Sequence, residues 1–269
     1  MNKFVTSYLS GGLGNVLFQV TAALSYSIDN NIPAVFNINQ HLLPNQGNDI
    51  KNYKENLLRN IKFVSKIDDY DFIYDEAEYE YNEIPKKDSI VLRGGFSSCK
   101  YFEHNRSKIL DIYDIDSVTD QHIKENYIID FNQTISLHIR RGDYIKFPDH
   151  HPILPKKYYN DALTYIFSND TTIKNVLVFS DDIKWCKSNF SDEFIFIDEK
   201  DYISLYMMSM CKHNIIANST FSWWGAWLNK NDSKIIITPD KWFGEKYKHF
   251  NTKDLIKDEW IKIEWTTTD

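Results

Sequence analysis

The chain has 269 residues, 42% hydrophobic and 26% charged, a balance that excludes a disordered or fibrous protein. Its net charge of −7 excludes broad attraction to nucleic acid, so an anionic ligand must be held by a local cluster of donors. The three cysteines, Cys99, Cys186 and Cys211, show no pairing that suggests zinc or a disulfide framework. A reducing compartment and a cytoplasmic location are therefore expected, and the apolar run before Leu9 is too short for a signal-peptide core or a membrane span.

A first strand is expected near Lys3–Leu9. Gly11-Gly12-Leu13-Gly14-Asn15 follows, then a helix to about Asn30 in which Leu17, Val20, Leu24 and Ile28 share one face. A second strand is expected at Pro33–Ile38. The polar, acidic, tyrosine-rich stretch from Leu42 to Pro85 reads as an irregular or helical insertion. Ser89–Arg93 reads as a strand ending in Gly94-Gly95. Ile135, Leu137 and Ile139 alternate with Ser136, His138 and Arg140, which predicts a strand with His138 and Arg140 on one side and the aliphatics on the other. Tyr159, Ala162, Leu163, Ile166 and Phe167 follow a helical period. Asn175–Phe179 is continuously apolar, as a buried parallel strand should be, and ends in Ser180-Asp181-Asp182. Phe194–Ile197 reads as a strand, Asp201 opens a helix through Met210, and His213–Ala217 and Lys234–Thr238 complete the strand set. The alternation of strands and helices predicts an α/β chain with parallel sheets and a boundary near residue 130.

Three segments carry chemistry. Gly11–Asn15 lies between a strand and a helix, where glycines let backbone approach a ligand and the helix N-terminus favours an anion. A tight turn explains the same glycines, and the run is not a complete GxGxxG. His138-Ile139-Arg140-Arg141-Gly142-Asp143-Tyr144 places two arginines at a strand's carboxyl end, where open α/β sheets bind ligands and where a guanidinium fork suits phosphate. An Arg–Asp salt bridge is the structural alternative, and alternation makes Arg141 the arginine better suited to it. Asn218-Ser219-Thr220-Phe221-Ser222-Trp223-Trp224-Gly225-Ala226-Trp227 puts hydroxyl and amide donors at a helix start, with the tryptophans read mainly as packing. Asp181 and Asp182 read as helix caps rather than metal ligands, and no metal site is expected.

Taken together, these motifs resemble the α1,2-fucosyltransferases of glycosyltransferase family 11. The resemblance rests on Gly11–Asn15 with Phe18-Gln19, Lys100-Tyr101-Phe102, His138–Tyr144, Phe179–Asp182 with Trp185, and Asn218–Ala226, in collinear order over nearly the whole chain. It implies a GT-B type α/β fold of two facing Rossmann-like domains with parallel sheets. Residues 1–130 would be the acceptor side and 131–269 the GDP-fucose-binding side. It also implies inverting transfer of L-fucose from GDP-fucose to the 2-hydroxyl of a terminal galactose, with no metal and no cofactor beyond the donor. The expected partners are GDP-fucose and a β-galactoside or other glycan acceptor; nucleic acid is excluded and peripheral association with a membrane is allowed.

The resemblance also distributes roles. Arg140 would hold the β-phosphate, His138 would contact the nucleoside, and Asp201 would read guanine. Ser219, Thr220, Phe221 and Ser222 would supply donors to the phosphates, with Asp182 beside them. Gly14 and Asn15 would close over the donor. Apart from the resemblance, Asp143, Asp149, His150 and His151 follow the arginine strand and are the candidate bases; the alternatives are that Asp143 only holds Arg140 or Arg141 in place and that the reaction uses no dedicated base, and the candidate catalytic residues are Arg140, Asn15, Asp143 and His151. Val16 and Ser97 stand where many relatives have glutamine, departures in the half expected to bind the acceptor.

Overall fold

The structure is a computed structural model that describes residues 3–39, 49–77 and 79–266. The chain divides into two compact units, Met1–Ser117 with Asn251–Lys257, and Val118–Phe250 with Asp258–Asp269. The division falls at Ser117 rather than near residue 130, and the short return of 251–257 to the first unit has no signature in composition.

In the first unit, β1 (Phe4–Ser7) leads into α1 (Leu13–Asn30). Leu17 and Val20 of the helix are fully buried, and Asn31 ends it in the left-handed region with its N–H donating to Ser27. Gly11 has φ +82, and a Cβ there would collide with the Asn15 side chain, so the glycine is required by the turn. Next come β2 (Phe36–Asn37), β3 (Phe63–Val64), β4 (Phe72–Asp75) and β5 (Ser89–Arg93). The strands β1, β5 and β4 form a parallel sheet in that order, and β2 pairs with β3. The expected insertion from Leu42 to Pro85 therefore contains two strands and a 3-10 turn at Ile50–Tyr53; residues 42–48 and 78 lie outside the described residues. Helix α2 (Arg106–Ile112) follows. The returning segment is fastened by an ion pair between Lys100 and the nearly buried Asp254.

The second unit carries α3 (Ser117–Asn126), β6 (Thr134–Ile139), α4 (Lys156–Asn169), β7 (Asn175–Ser180), α5 (Ile183–Asn189) and β8 (Ile195–Ile197). It continues through α6 (Asp201–Met210), β9 (His213–Ile215), α7 (Thr220–Trp227), β10 (Ile236–Pro239) and β11 (Ile261–Ile263). Its sheet is six-stranded and parallel throughout, in the order β11-β10-β9-β6-β7-β8. From the central β6 the chain steps outward through β7 and β8. Helix α6 then returns it to the opposite side of β6, where β9, β10 and β11 follow. This is the doubly wound order, and its reversal opens a crevice at the carboxyl ends of β6 and β9.

One sheet face packs Tyr158, Tyr159, Ala162 and Ile166 of α4 against Ile135, Leu137 and Val178. Elsewhere α6 and α7 pack so closely that a Cβ on Gly225 would lie 2.8 Å from Met208 Cβ. Trp223, Trp224 and Trp227 are fully or nearly fully buried, which makes them core. A buried amide chain ties the layers together: Asn229 Nδ2 donates to Asn214 Oδ1 and Asn214 Nδ2 to Ser136 Oγ, both at 2.7 Å. Among the described residues no helix is long and apolar enough to cross a membrane.

Candidate active site

The crevice between β6 and β9 collects most of the motif residues. Every residue of β6 is buried, and the alternation holds: Ile135, Leu137 and Ile139 join the core under α4, while Ser136 meets Asn214 and His138 meets Phe221, so both sides are covered. The strand ends at Ile139, which places Arg140 and Arg141 just past it at the mouth of the crevice.

Arg140 is held by two carboxylates. Its Nη2 lies 2.7 Å from Asp143 Oδ1 and its Nε 3.1 Å from Asp181 Oδ2. Its guanidinium carbon sits 5.5 Å from the centre of the Tyr144 ring. Burial pulls the guanidinium pKa down, but Asp181 and Asp143 outweigh it and the net direction is up. Arg140 is thus a fixed cation with donors to spare, since a guanidinium has five N–H groups.

Arg141 is built into the framework. Its backbone N–H donates to Asp181 Oδ1 at 2.9 Å, its Nε is 3.3 Å from Asp182 Oδ2, and its guanidinium lies 3.7 Å from the centre of the Trp185 ring. Asp182 also caps α5, accepting from the Trp185 N–H at 3.2 Å. Asp182, expected beside the donor, is engaged as a helix cap and arginine partner. A Cβ on Gly142 would lie 2.5 Å from Asp181 Oδ2, which explains the glycine after the arginines.

His138 is 3% exposed, and its imidazole is pushed down to about 3, by burial first and by Arg140 second. It is neutral at ordinary pH. Its buried Nδ1 has no hydrogen-bond partner among the described residues, and its ring centre lies 5.6 Å from that of Phe221. Phe221 belongs to the first turn of α7, so His138 and the helix N-terminus meet across the crevice. Ser219 precedes the helix and spends no side-chain bond on capping it. The Phe221 and Ser222 amides of that first turn have no partner within the helix, which suits an anion. The Ser222 hydroxyl points inward and donates to the carbonyls of Ala217 and Ser219, so of the two donors expected from Ser222 only its amide remains for a ligand. Thr220 is the first helical residue.

Asn218 has a role that the motif alone did not show. Its Nδ2 donates at 3.0 Å to both Pro152 O and Trp242 O, clipping the loop after β6 to the loop after β10. Its own carbonyl accepts from the Tyr144 hydroxyl at 2.8 Å. Tyr144 stacks on His151, with ring centres 4.9 Å apart. Burial lowers the His151 pKa, Asp143 opposing, and its buried Nδ1 has no partner among the described residues. Asp149 and His150 anchor the same loop through backbone carbonyls, which accept from Lys246 and Gly244. Asp201 begins α6 at the same edge of the sheet, its Oδ1 accepting from the Tyr202 N–H at 2.8 Å. Gly14 and Asn15 lie in the other unit, in the first turn of α1. Among the described residues no cluster of His, Cys, Asp and Glu is arranged to hold a metal ion.

A parallel sheet whose order reverses at β6, with a fixed arginine and a helix N-terminus at the reversal, defines a doubly wound α/β protein, a class whose ligands bind at such a switch point. The model of glycosyl transferase family 11 matches residues 4–264. The chain belongs to that family. It is 37% identical to the O-antigen biosynthesis glycosyltransferase WbnK of Escherichia coli, over 69% of this chain and 67% of that protein. It is 28% identical to an α-1,2-colitosyltransferase of Escherichia coli, over 97% of this chain and 99% of that protein. A galactoside 2-α-L-fucosyltransferase of Caenorhabditis elegans is 24% identical, over 86% of this chain and 70% of that protein. Among solved structures, the NodZ α-1,6-fucosyltransferase co-crystallised with GDP superposes with a TM-score of 0.52 at 12% identity, covering 84% of this chain and 92% of that one. POFUT1 does so with a TM-score of 0.50 at 11% identity, covering 88% and 97%. The fold is accordingly of GT-B type.

Proposed function

We propose that the protein transfers L-fucose from GDP-fucose to the 2-hydroxyl of a terminal galactose in an oligosaccharide or polysaccharide, with inversion at the fucose anomeric carbon. The observation that carries this reading is Arg140, fixed by two carboxylates at the mouth of the crevice that His138 and the α7 N-terminus line. The C1–O bond to the diphosphate breaks, its electron pair leaving with GDP, while the acceptor oxygen bonds C1 from the opposite face. Negative charge grows on the diphosphate as GDP departs, so a prefixed guanidinium binds the transition state more tightly than the ground state. The amides of α7 act in the same sense. His138, kept neutral, lies beside the nucleotide without adding charge.

The acceptor hydroxyl loses its proton as it attacks. Of the candidate bases, the electrostatics favour His151: burial shifts its imidazole toward the neutral form that can accept a proton, whereas Asp143 is engaged by Arg140. Asp201 reads guanine, because a carboxylate accepts from guanine N1 and N2 together. Asp181 and Asp182 are engaged by arginines, which supports a reaction that needs no metal; transfer should persist in excess EDTA.

The α-1,2-colitosyltransferase relative aligns over 97% of this chain, which favours a second reading in which the donated sugar is colitose, the 3-deoxy analogue of fucose. Transfer to a different acceptor sugar in surface glycan synthesis is the other alternative. The test is incubation with GDP-fucose or GDP-colitose and a panel of β-galactosides and other glycans, with products read by mass spectrometry and linkage by NMR. An α1,2-linked fucosyl galactoside is expected. Transfer only from GDP-colitose, or to no β-galactoside, would overturn the first reading.

A further inference from the structure

We infer that Phe147, His150 and Tyr247, in the second unit and not in the 1–130 half that the resemblance assigns to the acceptor, form the subsite on which the acceptor's terminal hexopyranoside rests, an inference that depends on the transfer reaction proposed above. The acceptor must approach the anomeric carbon next to the diphosphate, so its subsite must be continuous with the surface around Arg140. A continuous series of rings leads outward from that arginine. Tyr144 lies under its guanidinium and His151 stacks on Tyr144. His151 meets Tyr247 at 5.9 Å, Tyr247 meets His150 edge-on at 4.7 Å, and His150 meets Phe147 edge-on at 5.9 Å. The series ends at Phe147, which is 55% exposed.

This surface is preorganised. The Gly244 N–H donates to His150 O at 2.9 Å and the Lys246 N–H to Asp149 O at 3.0 Å, so the two loops that carry the rings are stitched together. Asn218 clips both at their bases. A Cβ on Gly244 would lie 2.5 Å from Asp149 O, so the close approach of the loops demands glycine. A pyranose offers an apolar C–H face for ring stacking and a rim of hydroxyls for polar neighbours. An exposed phenylalanine beside an imidazole and a phenol matches that chemistry, and their continuity with Arg140 identifies the occupant as the acceptor.

The test uses the full chain, GDP-fucose and lactose. Phe147→Ala removes an exposed side chain and should leave the fold intact, which thermal melting checks. The expected result is a rise in the lactose KM of about three- to tenfold, as for loss of one aromatic contact, with the Kd for GDP unchanged by calorimetry. Phe147→Tyr should restore the wild-type KM. An unchanged lactose KM in Phe147→Ala, with wild-type transfer intact, would overturn the subsite and leave the transfer reaction standing. Loss of binding to anionic phospholipid vesicles without a change in KM would overturn it too, and would assign the rings to a membrane surface. A wild-type protein that binds GDP but transfers to no β-galactoside would remove the reaction first and the subsite with it.

Discussion

Asp181 and Arg140 are bound side by side at the end of the central sheet, Arg140 Nε lying 3.1 Å from Asp181 Oδ2. The other oxygen of the same carboxylate takes the Arg141 N–H at 2.9 Å. One carboxylate from the end of β7 therefore sets both the backbone and the side chain of the arginine pair that follows β6.

Removing that charge while keeping its shape should loosen Arg140. Asp181→Asn is expected to lower kcat/KM for GDP-fucose by about ten- to a hundredfold, the range for a hydrogen bond to a charged group. Gly142→Ala should act on the same contact by pushing Asp181 aside, at a cost of about 1–3 kcal/mol in stability. Steady-state kinetics and denaturant melts check both, and wild-type kinetics in Asp181→Asn would detach Asp181 from Arg140's function.

His138 predicts a pH dependence of stability. Its folded pKa of about 3 lies far below the unfolded value, so the unfolded chain binds a proton that the folded chain refuses. The stabilisation is fully present above about pH 6.5 and is lost as the pH falls toward 3. Between pH 7 and pH 5 the loss should be about 2 kcal/mol. His138→Phe should be less steep over that interval by one proton's worth of slope. Urea melts of both proteins at several pH values measure the difference, and equal slopes would mean that His138 takes up its proton as readily in the fold as in the unfolded chain.

Asp201 predicts base selectivity. Asp201→Ala should weaken GDP binding by about tenfold while changing the much weaker binding of ADP little, since only guanine offers the paired donors. Calorimetry with both nucleotides distinguishes this from a general loss of structure. A parallel loss for GDP and ADP would make Asp201 merely the first residue of α6.

The second unit was the more legible in sequence, for a physical reason. Its inner strands are buried on both faces and read as apolar runs such as Asn175–Phe179, and its site lies on motifs at their ends. The strands β3, β4 and β11 were not visible. Phe63–Val64 is too short to show a period, Phe72–Asp75 is half-exposed among acids and tyrosines, and Ile261–Ile263 gives only one alternation. The place of His138 and Arg140 at the carboxyl end of β6 was legible because the alternation and the motif mark that strand's end. The hub role of Asp181 and the loop clip of Asn218 were not, because each depends on backbone groups distant in sequence: Asp181 on the Arg141 N–H, and Asn218 on Pro152 and Trp242. Ser222 shows the reverse case, a hydroxyl in a suggestive motif that the fold turns inward.

In the proposed reaction the crevice between β6 and β9 binds the diphosphate of GDP through Arg140. Calorimetric titration of GDP into the wild type and Arg140→Ala, with matched thermal melts, tests it most directly. Saturable binding to the wild type is predicted, with a loss of at least tenfold in an Arg140→Ala protein that melts as the wild type does, about the worth of one charge-assisted contact. Equal GDP affinity in the two proteins would contradict the account.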